Sequence, residues 1–320
     1  MEYILQLALL IAFYVSWSIG SNDETMAPLA GIGFIDILKI TIFGGVSALL
    51  GAVLLGQKVE HTMGQEILVG SVSSLEALVI VFSIASWITI SSWRGWPIST
   101  THSAVGSAVG IGIIKWGVKG VAWTRVLSIM GAWIASPLIG MVFSFLVSKT
   151  LMKFIRSRVK GLINYVEAAR ISAYVLFISG IIMSFVRGAN DIGNATAFVN
   201  IQSGYNPVLI RGIIGLGMTF GLILFGRRVL KSVGVELVEL TPYRGLLAQL
   251  SATLILFGGT WLGFPLSSSH VLVGSVVGVG FAENTWINFE KLFNIFIIWI
   301  GTFIGAAGIC MVLFLFTKLI

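Results

Sequence analysis

Charged residues are scarce in this 320-residue sequence, at 10% against 57% hydrophobic residues. Soluble domains carry about 25% charged residues, and a soluble chain this poor in charge could not cover its own surface. The scarcity therefore excludes an ordinary water-soluble protein. The single cysteine, Cys310, excludes an intramolecular disulfide, and no metal-binding or redox pattern surrounds it. The N-terminus lacks the basic region of a cleavable signal peptide, so we expect the first apolar stretch to be retained.

Long apolar stretches take the place of charged surface. They cover 2–19, 34–56, 65–92, 123–148, 171–186, 207–226, 245–262 and 293–317. A helix needs roughly 20 apolar residues to cross the hydrocarbon core, and most of these stretches are long enough. The sequence therefore predicts an all-α, multi-pass protein of the cell membrane, surrounded by the lipid bilayer.

The net charge of +7 comes from Lys and Arg in the short breaks between apolar stretches. They are densest between 149 and 160, as is typical of cytoplasmic loops. No basic face with interleaved aromatic residues is present, so we do not expect nucleic acid as a partner.

The sequence contains an internal repeat. GSNDETMA from Gly20 matches GANDIGNA from Gly188, and WPISTTHSAVGSAVGIG from Trp96 matches FPLSSSHVLVGSVVGVG from Phe264. Both matches keep the same offset of 168 positions (188 − 20 and 264 − 96). Chance similarity between apolar segments does not keep register in this way, so we treat the repeat as a duplication.

The duplication divides the chain into three parts. We predict a first transmembrane repeat at 1–148, a basic cytoplasmic linker at 149–168 and a second transmembrane repeat at 169–320. Loop charge indicates that the repeats are inverted, because the loop at 227–244 holds four Lys or Arg residues and its counterpart at 57–64 holds one. Inversion needs an odd number of membrane crossings between equivalent points, and four apolar stretches per repeat give an even number. The sequence therefore does not decide how many times the chain crosses the membrane.

Each repeat carries an Asn-Asp pair directly after an apolar stretch, Asn22-Asp23 and Asn190-Asp191. An ionised aspartate at membrane depth costs at least ~2.5 kcal/mol unless it is paired, solvated or bound to a cation. Carboxylate and amide oxygens suit a hard cation such as sodium, and the glycine before each pair permits a helix break. Capping of a helix end is the alternative for one pair alone. Two pairs in register favour a broken helix and a sodium site in each repeat.

Each repeat also carries a cluster of hydroxyl-bearing residues after a proline. The clusters are Ser99, Thr100 and Thr101 in the first repeat and Ser267, Ser268 and Ser269 in the second. The apolar run after each cluster is too short to cross the membrane alone, which predicts a re-entrant helical hairpin. A helix N-terminus with hydroxyl side chains offers N–H and O–H donors, so two such ends would form a cradle for an oxyanion. Helix capping without a ligand is the alternative.

Four further polar side chains lie in the apolar segments. We predict that His102 and His270 stabilise the hairpins by hydrogen bonding and do not form a zinc site. Gln249 either reaches the substrate or packs between helices. Arg187 either pairs internally or extends to the membrane surface.

These motifs resemble the inorganic phosphate transporter family, which includes sodium- or proton-coupled phosphate symporters and related sulfate permeases. The resemblance covers nearly the whole chain. It rests on GSND at Gly20, PISTTH at Pro97, WIASPLIG at Trp133, GANDIGNA at Gly188 and PLSSSH at Pro265.

The resemblance implies inverted repeats whose two hairpins meet near the membrane midplane. It implies sodium sites formed by Asn22, Asp23, Asn190, Asp191 and Asn194. It implies an anion site lined by Ser99, Thr100, Thr101, Ser267, Ser268 and Ser269. The first repeat departs from the pattern, because Met26 stands where the second repeat has Asn194.

The sequence therefore favours a cation-coupled symporter of inorganic phosphate that works by alternating access, with sodium as the first choice of coupling ion and a proton as the second. A sulfate permease is one alternative. Phosphate near neutral pH keeps a proton that needs a hydrogen-bond acceptor such as aspartate, so the aspartates favour phosphate. A passive anion channel is the other, and carboxylates beside an anion path argue against it.

No P-loop, nucleophile elbow or catalytic triad is visible, so we expect neither an enzyme nor a cofactor beyond the coupling ion. The sequence does not decide whether the protein forms a homo-oligomer.

Overall fold

The computed structural model describes residues 2–65, 67–158, 161–203, 206–264 and 266–318, with side chains described outside 2–9, 62–65, 154–158, 192–195 and 197–203. Within these residues the chain forms thirteen α-helices and one short 3-10 helix at Val118–Gly120. The helices are α1 (Glu2–Ser21), α2 (Ala27–Ile32), α3 (Ile37–Leu55), α4 (Gln57–Gln65), α5 (Ser74–Trp93), α6 (Thr100–Trp116), α7 (Trp123–Arg158), α8 (Leu162–Ser203), α9 (Pro207–Phe225), α10 (Arg227–Gly234), α11 (Pro242–Trp261), α12 (Ser268–Glu283) and α13 (Phe289–Thr317). The prediction of an all-α protein is confirmed.

Six of the described helices are long and apolar enough to cross a membrane: α3, α5, α7, α8, α9 and α13. Their outer faces carry large apolar side chains such as Leu54, Ile134 and Ile300, each more than 60% exposed at 67%, 69% and 67%. A bilayer covers such faces where water would not. The protein is a multi-pass membrane protein, as predicted.

Two shorter helices lie inside the bundle. Helices α6 and α12 have 17 and 16 residues, and both are buried on every side over most of their length. Each follows a longer helix after a short break, so α5 with α6 and α11 with α12 form the two hairpins that the hydroxyl clusters predict. A helix that is apolar all round is stable only where it is enclosed, so the hairpins occupy the core.

Glycines let the hairpin helices approach their neighbours closely. Helix α6 packs on α13, and α12 packs on α7. A Cβ atom on Gly106 would collide with the backbone oxygen of Phe303, and one on Gly274 would collide with that of Pro137. These contacts hold the N-termini of α6 and α12 in place within the bundle.

The helix break predicted at the Asn-Asp pairs occurs in the first repeat alone. Between α1 and α2 the Asp23 carboxylate accepts a hydrogen bond from the backbone N–H of Thr25 at 2.7 Å. Pro28 is the second residue of α2 and has no N–H with which to continue the preceding helix. In the second repeat α8 runs without interruption through the Asn-Asp pair. The predicted second break is absent because Thr196 occupies the position equivalent to Pro28 (28 + 168).

The predicted linker at 149–168 forms no element of its own in the described residues. The chain up to Arg158 continues α7, and α8 begins at Leu162. The ends of two long helices therefore join the repeats.

Equivalent contacts connect the two repeats in both directions. Lys58 of α4 donates to the backbone oxygen of Trp261 at 2.9 Å, and Arg228 of α10 donates to that of Trp93 at 2.8 Å. Lys58 and Arg228 are each the second residue of their helix, and the two tryptophans correspond at the offset of 168 positions (93 + 168). Reciprocal contacts of this kind arise around a two-fold axis. The direction of that axis relative to the membrane, and with it inversion of the repeats, stays a prediction.

Candidate ion and substrate site

The tips of the two hairpins touch each other inside the bundle. The Thr101 hydroxyl at the start of α6 donates to the backbone oxygen of Leu266 at 3.3 Å. The Ser269 hydroxyl at the start of α12 donates to the backbone oxygen of Ile98 at 2.8 Å. These are equivalent positions, so each tip holds the other through the same contact. The structure thus brings together the two hydroxyl clusters that the sequence places 168 positions apart (269 − 101).

Two of the hydroxyls are helix caps. Ser99 accepts a hydrogen bond from the backbone N–H of His102 at 3.2 Å, and Ser267 accepts one from that of His270 at 3.3 Å. An N-cap residue satisfies one of the backbone donors that a helix leaves open at its start. These two serines therefore shape the tips.

Thr100 and Ser268 remain available to a ligand. Each is only 3% exposed. Their hydroxyls have no hydrogen-bond partner in the part of the chain that the structure describes. The first backbone N–H groups of α6 and α12 lie beside them and have no acceptor within their own helices. Hydroxyl and N–H donors from two facing helix starts suit an oxyanion.

Both histidines anchor the hairpins to the long helices. His102 Nδ1 lies 3.0 Å from the backbone oxygen of Trp299 in α13, and His270 Nδ1 lies 3.0 Å from that of Trp133 in α7. A carbonyl oxygen accepts only, so Nδ1 carries the proton in both rings. The predicted role as hydrogen-bond partners is confirmed, with the partners on α7 and α13.

The two asparagines hold the segments that lead into the tips. Asn22 donates to the backbone oxygen of Trp96 at 2.8 Å and accepts from the backbone N–H of Ile98 at 3.0 Å. Asn190 donates to the backbone oxygen of Leu266 at 2.8 Å. Each Asn-Asp pair therefore fixes the hairpin of its own repeat. Cation binding by the side chains of Asn22 and Asn190 stays a prediction.

A buried ion cluster lies against the tips. The guanidinium of Arg187 in α8 makes ion pairs with Glu24 at 2.6 Å, Asp23 at 3.1 Å and Asp191 at 2.7 Å. All four residues are fully buried. Ser269 connects this cluster to the hairpin tips, because its hydroxyl also donates to Glu24 Oε1 at 2.7 Å.

The cluster has more negative than positive charge. Three carboxylates face one guanidinium, which leaves a net charge of −2 when all four groups are ionised. The Asp23 Oδ2, Glu24 Oε2 and Asn190 Oδ1 atoms are buried and have no hydrogen-bond partner among the described residues. Buried carboxylate oxygens without a partner are costly. A bound cation is the simplest way to satisfy them.

A model of the phosphate transporter family matches residues 19–310. The chain belongs to the phosphate transporter family. It is similar to a putative phosphate permease of Pyrococcus furiosus, with 28% identity over 96% of this chain and 94% of that protein. It is also similar to the chloroplastic inorganic phosphate transporter 2-1 of Arabidopsis thaliana, with 26% identity over 98% of this chain and 72% of that protein.

A solved structure described as the sodium-dependent phosphate transporter has the same fold. The superposition has a TM-score of 0.89 and covers 99% of this chain and 100% of that one, with 26% sequence identity. The resemblance drawn from the duplicated motifs is thus confirmed. The match extends over the whole bundle, including both hairpins.

The structure does not place two of the predicted site residues, Gln249 and Asn194, in the ion cluster. Gln249 of α11 donates to the Met183 sulfur at 2.9 Å and packs against α8. Its contact with a substrate stays a prediction. The side chain of Asn194 is outside the described residues.

Two residues of the cluster were not predicted as site residues. Glu24 was not singled out, and Arg187 was expected only to pair internally or to extend to the membrane surface. The repeat contains a signal that identifies both. Glu24 is equivalent to Ile192 and Arg187 to Ile19 (24 + 168 and 187 − 168). Each charged residue therefore stands at a position that is apolar in the other repeat.

Proposed function

We propose that this protein is a sodium-coupled symporter of inorganic phosphate that works by alternating access. Membership of the phosphate transporter family supports phosphate as the substrate. The similar fold of a sodium-dependent phosphate transporter supports sodium as the coupling ion. The pseudo-two-fold arrangement of the hairpins supports alternating access, since transporters of this general design bind their substrates between two repeats.

The hydrogen bond between Ser269 and Glu24 carries the coupling argument. It joins the hairpin tips, where an oxyanion would bind, to a cluster with excess negative charge. An anion at the tips is repelled by this cluster, and the repulsion is strong because the site is buried. A cation that binds the free carboxylate oxygens removes the repulsion. Phosphate and cation therefore bind well together and poorly alone, which is the requirement for symport.

The residues divide into two groups in this proposal. Phosphate is bound by the Thr100 and Ser268 hydroxyls and by the backbone N–H groups at the two tips. Ser99, Thr101, Ser267 and Ser269 give the tips their shape. Sodium is bound by the cluster oxygens that have no hydrogen-bond partner among the described residues. Asp23 is the ligand that the geometry supports best. The sodium roles of Asn190, Asp191 and Asn194 stay predictions.

The test is uptake by purified protein in proteoliposomes. Labelled phosphate and labelled sulfate are offered separately, and a sodium gradient or a pH gradient is imposed alone. We expect an inward sodium gradient to drive phosphate accumulation above equilibrium, with sulfate much slower. Accumulation driven by the pH gradient alone would show that the coupling ion is a proton and not sodium. Equilibration without accumulation would indicate a channel, and faster sulfate uptake would make the protein a sulfate permease.

A further inference from the structure

The ion cluster breaks the symmetry of the two repeats. Arg187 lies in the second repeat and Glu24 in the first, and the equivalent positions hold Ile19 and Ile192. One positive and one negative side chain have thus been added to an otherwise duplicated site. They meet at 2.6 Å inside the bundle. The two Asn-Asp pairs, which match in sequence, therefore have different surroundings.

Both carboxylate oxygens of Asp191 are occupied. Oδ2 accepts a hydrogen bond from Arg187 Nε at 2.7 Å, and Oδ1 accepts one from Asn190 Nδ2 at 3.0 Å. A sodium ion at this carboxylate would have to compete with a guanidinium held four positions away on the same helix. That competition is unequal, because the guanidinium is permanently charged and covalently attached.

The carboxylates of the first repeat retain free oxygens. Asp23 uses Oδ1 for the Thr25 backbone N–H and for Arg187, while Oδ2 has no hydrogen-bond partner among the described residues. Glu24 uses Oε1 for Arg187 and Ser269, and its Oε2 is likewise without a partner there. The carboxylate oxygens left for a cation therefore both belong to the first repeat, while the second repeat offers only the neutral amide oxygen Asn190 Oδ1.

Arg187 itself is directed at the cluster. Its Nε contacts Asp191, its Nη1 contacts Glu24 and Asp23, and its Nη2 donates to the backbone oxygen of Asn22 at 3.4 Å. All three nitrogens thus have acceptors within the protein. The arginine acts as a cation for these carboxylates and does not take part in holding the anion.

We propose that the Arg187 guanidinium is a tethered cation that replaces the sodium ion expected at Asn190-Asp191, so that Asp23 and Glu24 are the carboxylates of this cluster that bind sodium. The inference rests on the proposed sodium coupling. It predicts that the protein binds one sodium ion fewer than a symmetric site with two equivalent Asn-Asp pairs.

The first test compares Asp23→Asn with Asp191→Asn in purified, folded protein. Binding of radioactive sodium is measured at equilibrium in the presence of phosphate. We expect Asp23→Asn to weaken sodium binding about tenfold or more, equivalent to about 1.4 kcal/mol, and Asp191→Asn to weaken it clearly less, because both oxygens of Asp191 are already occupied. Equal weakening in the two variants would overturn the proposal. Both changes preserve side-chain shape, so they are the least disruptive available.

The second test restores the symmetry of the repeats. The double variant Glu24→Ile, Arg187→Ile carries the residues of the opposite repeat, and it loses one charge of each sign, so the net charge of the cluster is unchanged. We expect it to bind one more sodium ion per protein than wild type, and we expect Asp191→Asn added to it to abolish that gain. An unchanged sodium count would overturn the proposal. Absence of sodium binding and of sodium-driven uptake in the wild type would instead overturn the proposed function, and this inference with it.

Discussion

The six hydroxyl-bearing residues at the hairpin tips form three equivalent pairs with different partners. Ser99 and Ser267 cap their helices, and Thr101 and Ser269 tie one tip to the other. The third pair, Thr100 and Ser268, has no partner for its hydroxyls in the described structure. Both hydroxyls can therefore donate to a ligand, and a hydrogen bond to a charged ligand is stronger than one between neutral groups. The third pair is therefore the part of the cradle most sensitive to substitution.

Removing these two hydroxyls should weaken phosphate binding. Thr100→Val keeps the side-chain shape, and Ser268→Ala removes one atom. A hydrogen bond to a charged ligand contributes about 1.5–3 kcal/mol, so each variant should lose roughly tenfold to a hundredfold in phosphate affinity. Affinity is measured on purified, folded protein. Ser107→Ala is the control, because this buried hydroxyl lies on α6 but contacts α13. Wild-type affinity in the double variant would remove both residues from the site.

The sequence predicts the duplicated part of the site and misses the part present in one copy. The Asn-Asp pairs and hydroxyl clusters were found because a repeated motif is easily recognised. Glu24 and Arg187 pair across 163 positions, and neither has a polar counterpart in the other repeat. A search for similarity between the repeats passes over such residues. A search for charge at positions that are apolar in the opposite repeat would have found both.

At the scale of helices, close packing positions the hairpin tips. Helix α12 lies against α7 with Gly274 at the contact, and no side chain fits there. The short apolar runs predicted the two hairpins correctly. The uninterrupted course of α8 was not predicted, because the break was inferred from the glycine and the Asn-Asp pair, which both repeats share, and Pro28 occurs in the first repeat alone. Proline is the stronger local signal, since it cannot continue the hydrogen bonding of a helix.

Gly274→Ala should destabilise the protein. The added methyl group would meet the backbone of Pro137, which can move away only if α7 and α12 separate. Overpacking of this kind costs typically 1–3 kcal/mol. The matched control is Gly301→Ala in α13, where an added Cβ meets nothing within 4 Å. There the change should be neutral or stabilising, because alanine favours a helix more than glycine by about 1 kcal/mol. Thermal unfolding in detergent gives the comparison, and equal melting temperatures for the two variants would contradict the packing argument.

At the scale of the whole molecule, the reciprocal contacts establish a two-fold relation between the repeats. The sequence predicted the duplication from a constant offset, and the structure shows that equivalent residues make equivalent contacts. Loop charge is the only evidence that the repeats are inverted, because the helix contacts do not show how the bundle is oriented in the bilayer. The membrane orientation therefore needs its own measurement.

Single cysteines at equivalent positions test the orientation. Gln57→Cys at the start of α4 and Arg227→Cys at the start of α10 are introduced separately after Cys310→Ser, and both positions are exposed. If the repeats are inverted, a membrane-impermeant thiol reagent added to intact cells should label one variant alone. The other should react only after the membrane is opened. Labelling of both from the same side would show that the repeats are parallel.

In the proposed mechanism, an anion cradle at the hairpin tips lies beside a negatively charged cluster that needs a cation. The most direct measurement is phosphate affinity of the purified protein with sodium and with an inert organic cation at constant ionic strength. We predict that sodium tightens phosphate binding, and that phosphate tightens sodium binding by the same factor, as linkage between two sites requires. Couplings of this kind are typically about 5–150-fold. A phosphate affinity that does not change with sodium would contradict sodium coupling at this site.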